Sequence, residues 1–141
     1  MKLERILVPI DFSEQSQRAL QAADELAQVR GSHLTLLHVH SIVGVAVLDF
    51  TYVERPQDLA RITEAAEVQL GQWAQALKAP AEHVHIEVAT GDPVTEIVRH
   101  TESHDLAVMG THGRTGLTHF LMGSVAERVV RGARCSVLIV R

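Results

Sequence analysis

The stretch MGTHGRTGLTHFLMGSVAERVV, Met109 to Val130, places Gly110, Gly113, Gly116 and Gly123 between an apolar run and a helical pattern. Glycine weakens regular structure, so four of them at a strand-to-helix junction need a purpose. Without a Cβ the backbone can come close to a ligand. The N–H groups of such a loop, with the dipole of the helix that follows, favour an anion. His112, Arg114 and the hydroxyls of Thr111, Thr115 and Ser124 add donors suited to phosphate oxygens. The chemistry indicated is phosphate binding; the alternative is an ordinary surface loop, since glycine is also a turn residue. Two familiar phosphate motifs are absent. No GxxxxGK[ST] occurs, and the first apolar run, RILVPI, leads into DFS rather than GxGxxG.

Nine histidines raise a metal reading. His38-x-His40 and His83-x-His85 each put two imidazoles on one face of a strand, and HTESH sets His100 and His104 one turn apart without the glutamate of HExxH. No cysteine or carboxylate accompanies any pair to complete a zinc shell, so they read as solvated or hydrogen-bonded side chains. Cys135 is the single cysteine, which excludes an intramolecular disulfide, and its apolar neighbours suggest a buried thiol. The formal net charge of −4 argues against steering toward nucleic acid. No apolar run approaches the ~20 residues that span a bilayer. MKLERILVPIDF carries charges and runs straight into the first strand, unlike a signal peptide. The expectation is a cytoplasmic protein with no membrane insertion.

The elements that must position the loop follow from periodicity. At 141 residues, 46% hydrophobic and 21% charged, the chain reads as one globular domain over residues 1–141. Arg5–Ile10 is apolar nearly throughout, as a parallel strand covered on both faces should be. Ser13 is placed to cap a helix carrying Leu20, Ala23, Leu26 and Ala27, which Arg30-Gly31 ends. His33–Val39 is the second strand. Leu59, Ile62, Ala66, Leu70, Trp73 and Leu77 mark an amphipathic helix stopped by Pro80. His83–Ala89 alternates as a sheet-edge strand should. Asp92 and Pro93 open a helix with Val94, Ile97 and Val98 on its buried stripe. DLAVMG is the fourth strand, a helix begins near Gly123-Ser124, and SVLIV, Ser136 to Val140, is the fifth strand. Strands alternating with helices predict a three-layer α/β domain with an open five-stranded parallel sheet and four main helices. The connection from His40 to Gln57 is long and apolar, which suits a lid, a partner-facing surface or an extra packed turn.

Gly110-x2-Gly113-x9-Gly123-Ser124 resembles the Gly-x2-Gly-x9-Gly-Ser/Thr pattern of the ATP-binding branch of the universal stress protein family. The similarity spans the chain: RILVPIDFSEQSQRAL resembles the family's first strand and helix, GDPVTEIVRH the start of its third helix, ARCSVLIV its closing strand. Cys135-Ser136-Val137 departs from the family's usual Cys-Pro-Val. The resemblance implies strand order 3-2-1-4-5, with a ligand crevice where strands one and four meet. It implies that Pro9, Ile10 and Asp11 flank the adenosine, with Asp11 near the ribose or a nucleotide-bound Mg²⁺. Val39 would offer backbone to the adenine, and Met109, Gly110, Gly113, Gly123, Ser124 and Val125 would surround the triphosphate. His112 and Arg114 would be phosphate partners.

Fast phosphoryl transfer needs a held metal, a positioned nucleophile and charge neutralisation. The reading finds one carboxylate at the crevice, Asp11, with Asp92 and Asp105 elsewhere. The expectation is therefore an ATP-binding stress-response regulator that acts through partner or dimer interactions. A slow ATPase and a structural partner protein without nucleotide are the alternatives. SVLIV at a sheet edge has no blunting charge or proline; with the family likeness, it predicts a homodimer through that strand.

Overall fold

The computed structural model describes residues 1–41, 46–47, 50–51, 55–112 and 122–141. The chain runs β1 (Arg5–Pro9), α1 (Glu14–Arg30), β2 (His33–His40), two short strands β3 (Ala46–Val47) and β4 (Phe50–Thr51), and α2 (Pro56–Gln75). A 3₁₀ turn (Ala81–His83) precedes β5 (Val84–Thr90), α3 (Pro93–Thr101), β6 (Leu106–Gly110), α4 (Ser124–Gly132) and β7 (Ser136–Val140). Five strands form one parallel sheet in the order β5-β2-β1-β6-β7. This is the expected order, with β5, β6 and β7 as the third, fourth and fifth sheet strands. Within the His40–Gln57 connection, β3 and β4 pair antiparallel; much of the rest of it lies outside the described residues.

Alternate residues of β1 serve two cores. Ile6, Val8 and Ile10 join Leu34 and Leu36 of β2, Ala19, Leu20 and Ala23 of α1, and Leu70 of α2. Leu7 faces the other way, with Leu37, Met109, Val94 and Ile97 of α3, and Ala126 and Val129 of α4. Covering both faces is what makes β1 apolar without interruption. α1 begins as expected: the Ser13 hydroxyl accepts from the Ser16 amide at 3.2 Å, and Gly31 ends the helix in the left-handed region, φ 67°. At α3, Asp92 accepts from the Thr95 amide at 2.9 Å and the Thr95 hydroxyl at 2.8 Å, bonds that hold its carboxyl below the usual carboxylate range.

α2 ends at Gln75, short of Leu77, although the apolar spacing continues. The reason lies on α1. Asp24 is buried, and its carboxylate accepts from the amides of Lys78 (3.0 Å) and Ala79 (2.9 Å). Leaving the helix brings those two amides onto a buried carboxylate, whose Oδ2 also accepts from Gln28 at 3.2 Å. Cys135 is half-buried rather than buried; it packs beside the α3–α4 core, and desolvation pushes its thiol pKa up.

His104, half-buried after α3, donates from Nδ1 to the His100 carbonyl at 2.7 Å, and its Nε2 lies 3.0 Å from the Thr35 hydroxyl. Burial lowers its pKa, and the charges of Arg5 and His100 lower it further, against a raising contribution from its bond to His100 and from Glu87. As pH falls through about 6.5, the unfolded chain therefore takes up the proton first. The stability that neutral His104 contributes is complete above that pH and is lost as pH drops through its lower folded-state value. Between pH 7.5 and 5.5 the melting midpoint of wild-type protein should fall more than that of His104→Gln; parallel curves for the two would contradict this.

Candidate functional site

β1 and β6 are neighbours, but their ladder ends at Ile6–Leu106 and Leu7–Ala107. Beyond that point each strand bonds outward. β1 stays with β2 through Pro9↔Leu37, and the Ile10 amide donates to the Leu37 carbonyl at 2.7 Å. β6 stays with β7 through Gly110↔Val140, and the Thr111 amide donates to the Val140 carbonyl at 3.1 Å. The two carboxyl ends leave a crevice of about 710 Å³ between them, roofed by the start of α3 and the first turn of α4. That volume lies in the range of small-molecule sites. Pro9, Ile10, Asp11, Val39, Met109, Gly110, His112, Gly123, Ser124 and Val125 all line it. Gly113 and Arg114 lie outside the described residues.

Asp11 is not the cap of α1. Its Oδ1 accepts from the Ser13 amide at 3.0 Å and from the Ser13 hydroxyl, and so holds the residue that caps. Between them, Phe12 adopts φ 63°, which costs an L-residue about 1–2 kcal/mol. The reversal lets Asp11 border the crevice while the next residues enter α1. Asp105 lies at the opposite end of β6, where it accepts from the amides of Glu4 and Arg5 at 2.9 Å each. Those bonds, chiefly the one from Arg5, hold its carboxyl below the usual range.

The sequence matches a family model described as the universal stress protein family over residues 2–141. The chain belongs to that family. A universal stress protein of Methanocaldococcus jannaschii, MJ0531, is 34% identical, with 98% of this chain and 82% of that protein aligned. The solved structure of MJ0577 from the same organism shares 30% identity at a TM-score of 0.79, covering 97% of this chain and 94% of its own. A universal stress protein solved in complex with cAMP has the same fold, with a TM-score of 0.72 at 23% identity and 98% and 97% coverage.

Two of the spaced glycines, Gly110 and Gly123, have packing reasons. A Cβ on Gly110 would lie 2.8 Å from Cβ of Gln15 and 3.0 Å from its backbone carbon and oxygen, so only glycine lets β6 pass this close to α1. A Cβ on Gly123 would lie 2.9 Å from the Thr111 carbonyl, which already accepts the Gly123 amide at 2.6 Å. That bond closes the loop by tying the start of α4 to the end of β6. The bond thereby holds the start of α4 at the crevice. α4 has no side-chain cap, its first helical bond runs from the Glu127 amide to the Gly123 carbonyl, and the amides of its first turn have no intrahelical partner.

Sequence reasoning missed several lining groups. His38 and His40 flank Val39 and line the crevice, a place that reading them as solvated or hydrogen-bonded side chains does not give. His38 Nδ1 donates to the Ile10 carbonyl at 2.7 Å; its place beside Val39 was the available signal. Pro93 and Ile97 bring α3 to the crevice. Glu127 adds a second carboxylate, paired with Arg131 at 2.8 Å. Among the described lining residues there is no lysine or arginine. Among the described residues no group of three His, Cys, Asp or Glu side chains could hold a metal ion.

Gly110→Ala and Gly123→Ala should each destabilise the protein in the absence of any ligand, by the about 1–3 kcal/mol typical of overpacking, read as several degrees of melting midpoint. Gly71 of α2 has open space around its Cβ position, so Gly71→Ala should be neutral or stabilising. Unchanged midpoints for Gly110→Ala and Gly123→Ala would return those glycines to a role in ligand contact alone.

Proposed function

We propose that this universal stress protein binds ATP with Mg²⁺ in the crevice between β1 and β6 and acts as a nucleotide-dependent regulator. The observation that carries the reading is the pairing of opposite partners across one cleft. The amides of the α4 first turn, at Ser124, Val125 and Ala126, which have no intrahelical partner, suit phosphate oxygens, and Asp11 stands at the end of β1. Pro9, Ile10 and the backbone of Val39 would form the adenosine wall, and Gly113 and Arg114 of the loop would reach the phosphates. The carboxylates of Asp11 and Glu127 and the lack of described cationic lining side chains suit a polyphosphate that arrives with its cation. The relative solved with cAMP shows that this fold can receive an adenine nucleotide.

Asp11→Asn separates charge from scaffold, because the amide oxygen can still accept from Ser13. By calorimetric titration with MgATP the variant should bind about tenfold more weakly, near 1.4 kcal/mol, at an unchanged melting midpoint. Chelating Mg²⁺ should weaken wild-type binding as well. Equal affinity for wild type and Asp11→Asn would remove the carboxylate from the site. Phosphate release on the scale of unassisted GTPases, ~10⁻⁴ to 10⁻³ s⁻¹, would fit regulation; turnover near 1 s⁻¹ would make the protein an ATPase.

The same reading includes a homodimer formed through β7 and a further protein partner that responds to the bound nucleotide. Among the described residues β7 pairs only with β6 and is a sheet edge, and Leu138 on it is 39% exposed. An unblunted parallel edge presents N–H and C=O groups to a second chain. Light scattering at tens of micromolar should give twice the chain mass, and Leu138→Lys should shift the population to monomer. A wild-type monomer at that concentration would contradict the dimer.

A further inference from the structure

Phe12 is the one non-glycine residue with a positive φ among the described residues. Glycine or asparagine adopts that conformation more readily than a phenylalanine does, so the ring, not the backbone, accounts for the residue type. The ring lies over the His38 imidazole, centroids 4.7 Å apart at 39°. It also meets Trp73 edge-on, at 5.5 Å and 86°. His38 borders the crevice and donates to the Ile10 carbonyl at 2.7 Å, one residue before Asp11. Trp73 belongs to α2, the helix whose incoming chain leaves the sheet just after His40 on the same rim. Three rings thus form a continuous path from the crevice wall to α2. The link beside Asp11 is held in a backbone basin that its residue type does not favour, and strain of this kind collects at ligand clamps and switch regions.

We propose that Phe12, with His38 and Trp73, couples occupancy of the crevice to the position of α2, the Phe12 turn being the part that moves. The inference rests on the nucleotide reading above. An occupant that contacts Asp11 or His38 biases one arrangement of the turn over another, and the ring passes that bias to Trp73. The adenine nucleotide then has a readout at a distance from the crevice, on a helix available to a partner.

The chain has one tryptophan, so its emission reports Trp73 alone. MgATP is titrated into the full chain while heat and emission are followed separately. Wild-type emission should change and saturate with the same midpoint as the heat. Phe12→Asn, which tolerates the left-handed turn but lacks the ring, should bind about threefold to tenfold more weakly with no emission change. His38→Asn keeps a donor where Nδ1 stood and should retain more affinity than His38→Leu. Leu70→Ala, in the α2 core, should lower the melting midpoint yet keep both affinity and the emission change, which separates coupling from stability. Heat without an emission change in wild-type protein, or a full emission change in Phe12→Asn, overturns this inference alone. No heat with wild-type protein overturns the nucleotide reading and this inference with it.

Discussion

The structure depends on two strand ends that turn away from each other. β1 and β6 share a short ladder, after which β1 is held by β2 and β6 by β7 through the Ile10–Leu37 and Thr111–Val140 bonds. Beyond that ladder the Ile10 and Thr111 amides are satisfied outward, by Leu37 and Val140, while the alternate backbone groups face the crevice. The helices that follow the strands depart to opposite faces, α1 to one core and α4 to the other. A crevice at this point is the general consequence in open parallel sheets. Its walls are therefore built mainly from strand ends and the first turns of α3 and α4.

Within that frame, the glycines have a different meaning from the one their types suggest. Gly110 and Gly123 admit close approaches of α1 and of the β6 end, and those approaches deliver the open amides of α4 to the crevice. The loop's chemistry thus comes partly through architecture. A missing Cβ looks identical in sequence whether it makes room for a phosphate or for a neighbouring helix. Only the neighbour, Gln15 or the Thr111 carbonyl, tells the two apart.

Much of the fold was legible because its causes are local. The apolar run of β1, the Ser13 and Asp92 caps and the alternating edge strand follow from residue type and spacing. The strand order came from family resemblance, since periodicity does not say which strands are neighbours. What remained hidden depends on long-range partners. The end of α2 is set by Asp24, more than fifty residues earlier. Phe12 in a left-handed turn is explained by Trp73 and His38, neither of them near in sequence. Glu127 and Pro93 reach the crevice because two helices converge on it, which no one-dimensional pattern records.

The central claim is that an adenine nucleotide occupies the space between the carboxyl ends of β1 and β6. Amide chemical-shift mapping of isotope-labelled protein during an MgATP titration tests it residue by residue. The account predicts saturable shifts at Asp11, Val39, Thr111, Ser124 and Val125, with Arg5, His33 and Asp105 at the other end of the sheet unchanged. Shifts confined to that other end, or no saturable shifts at all, would contradict it.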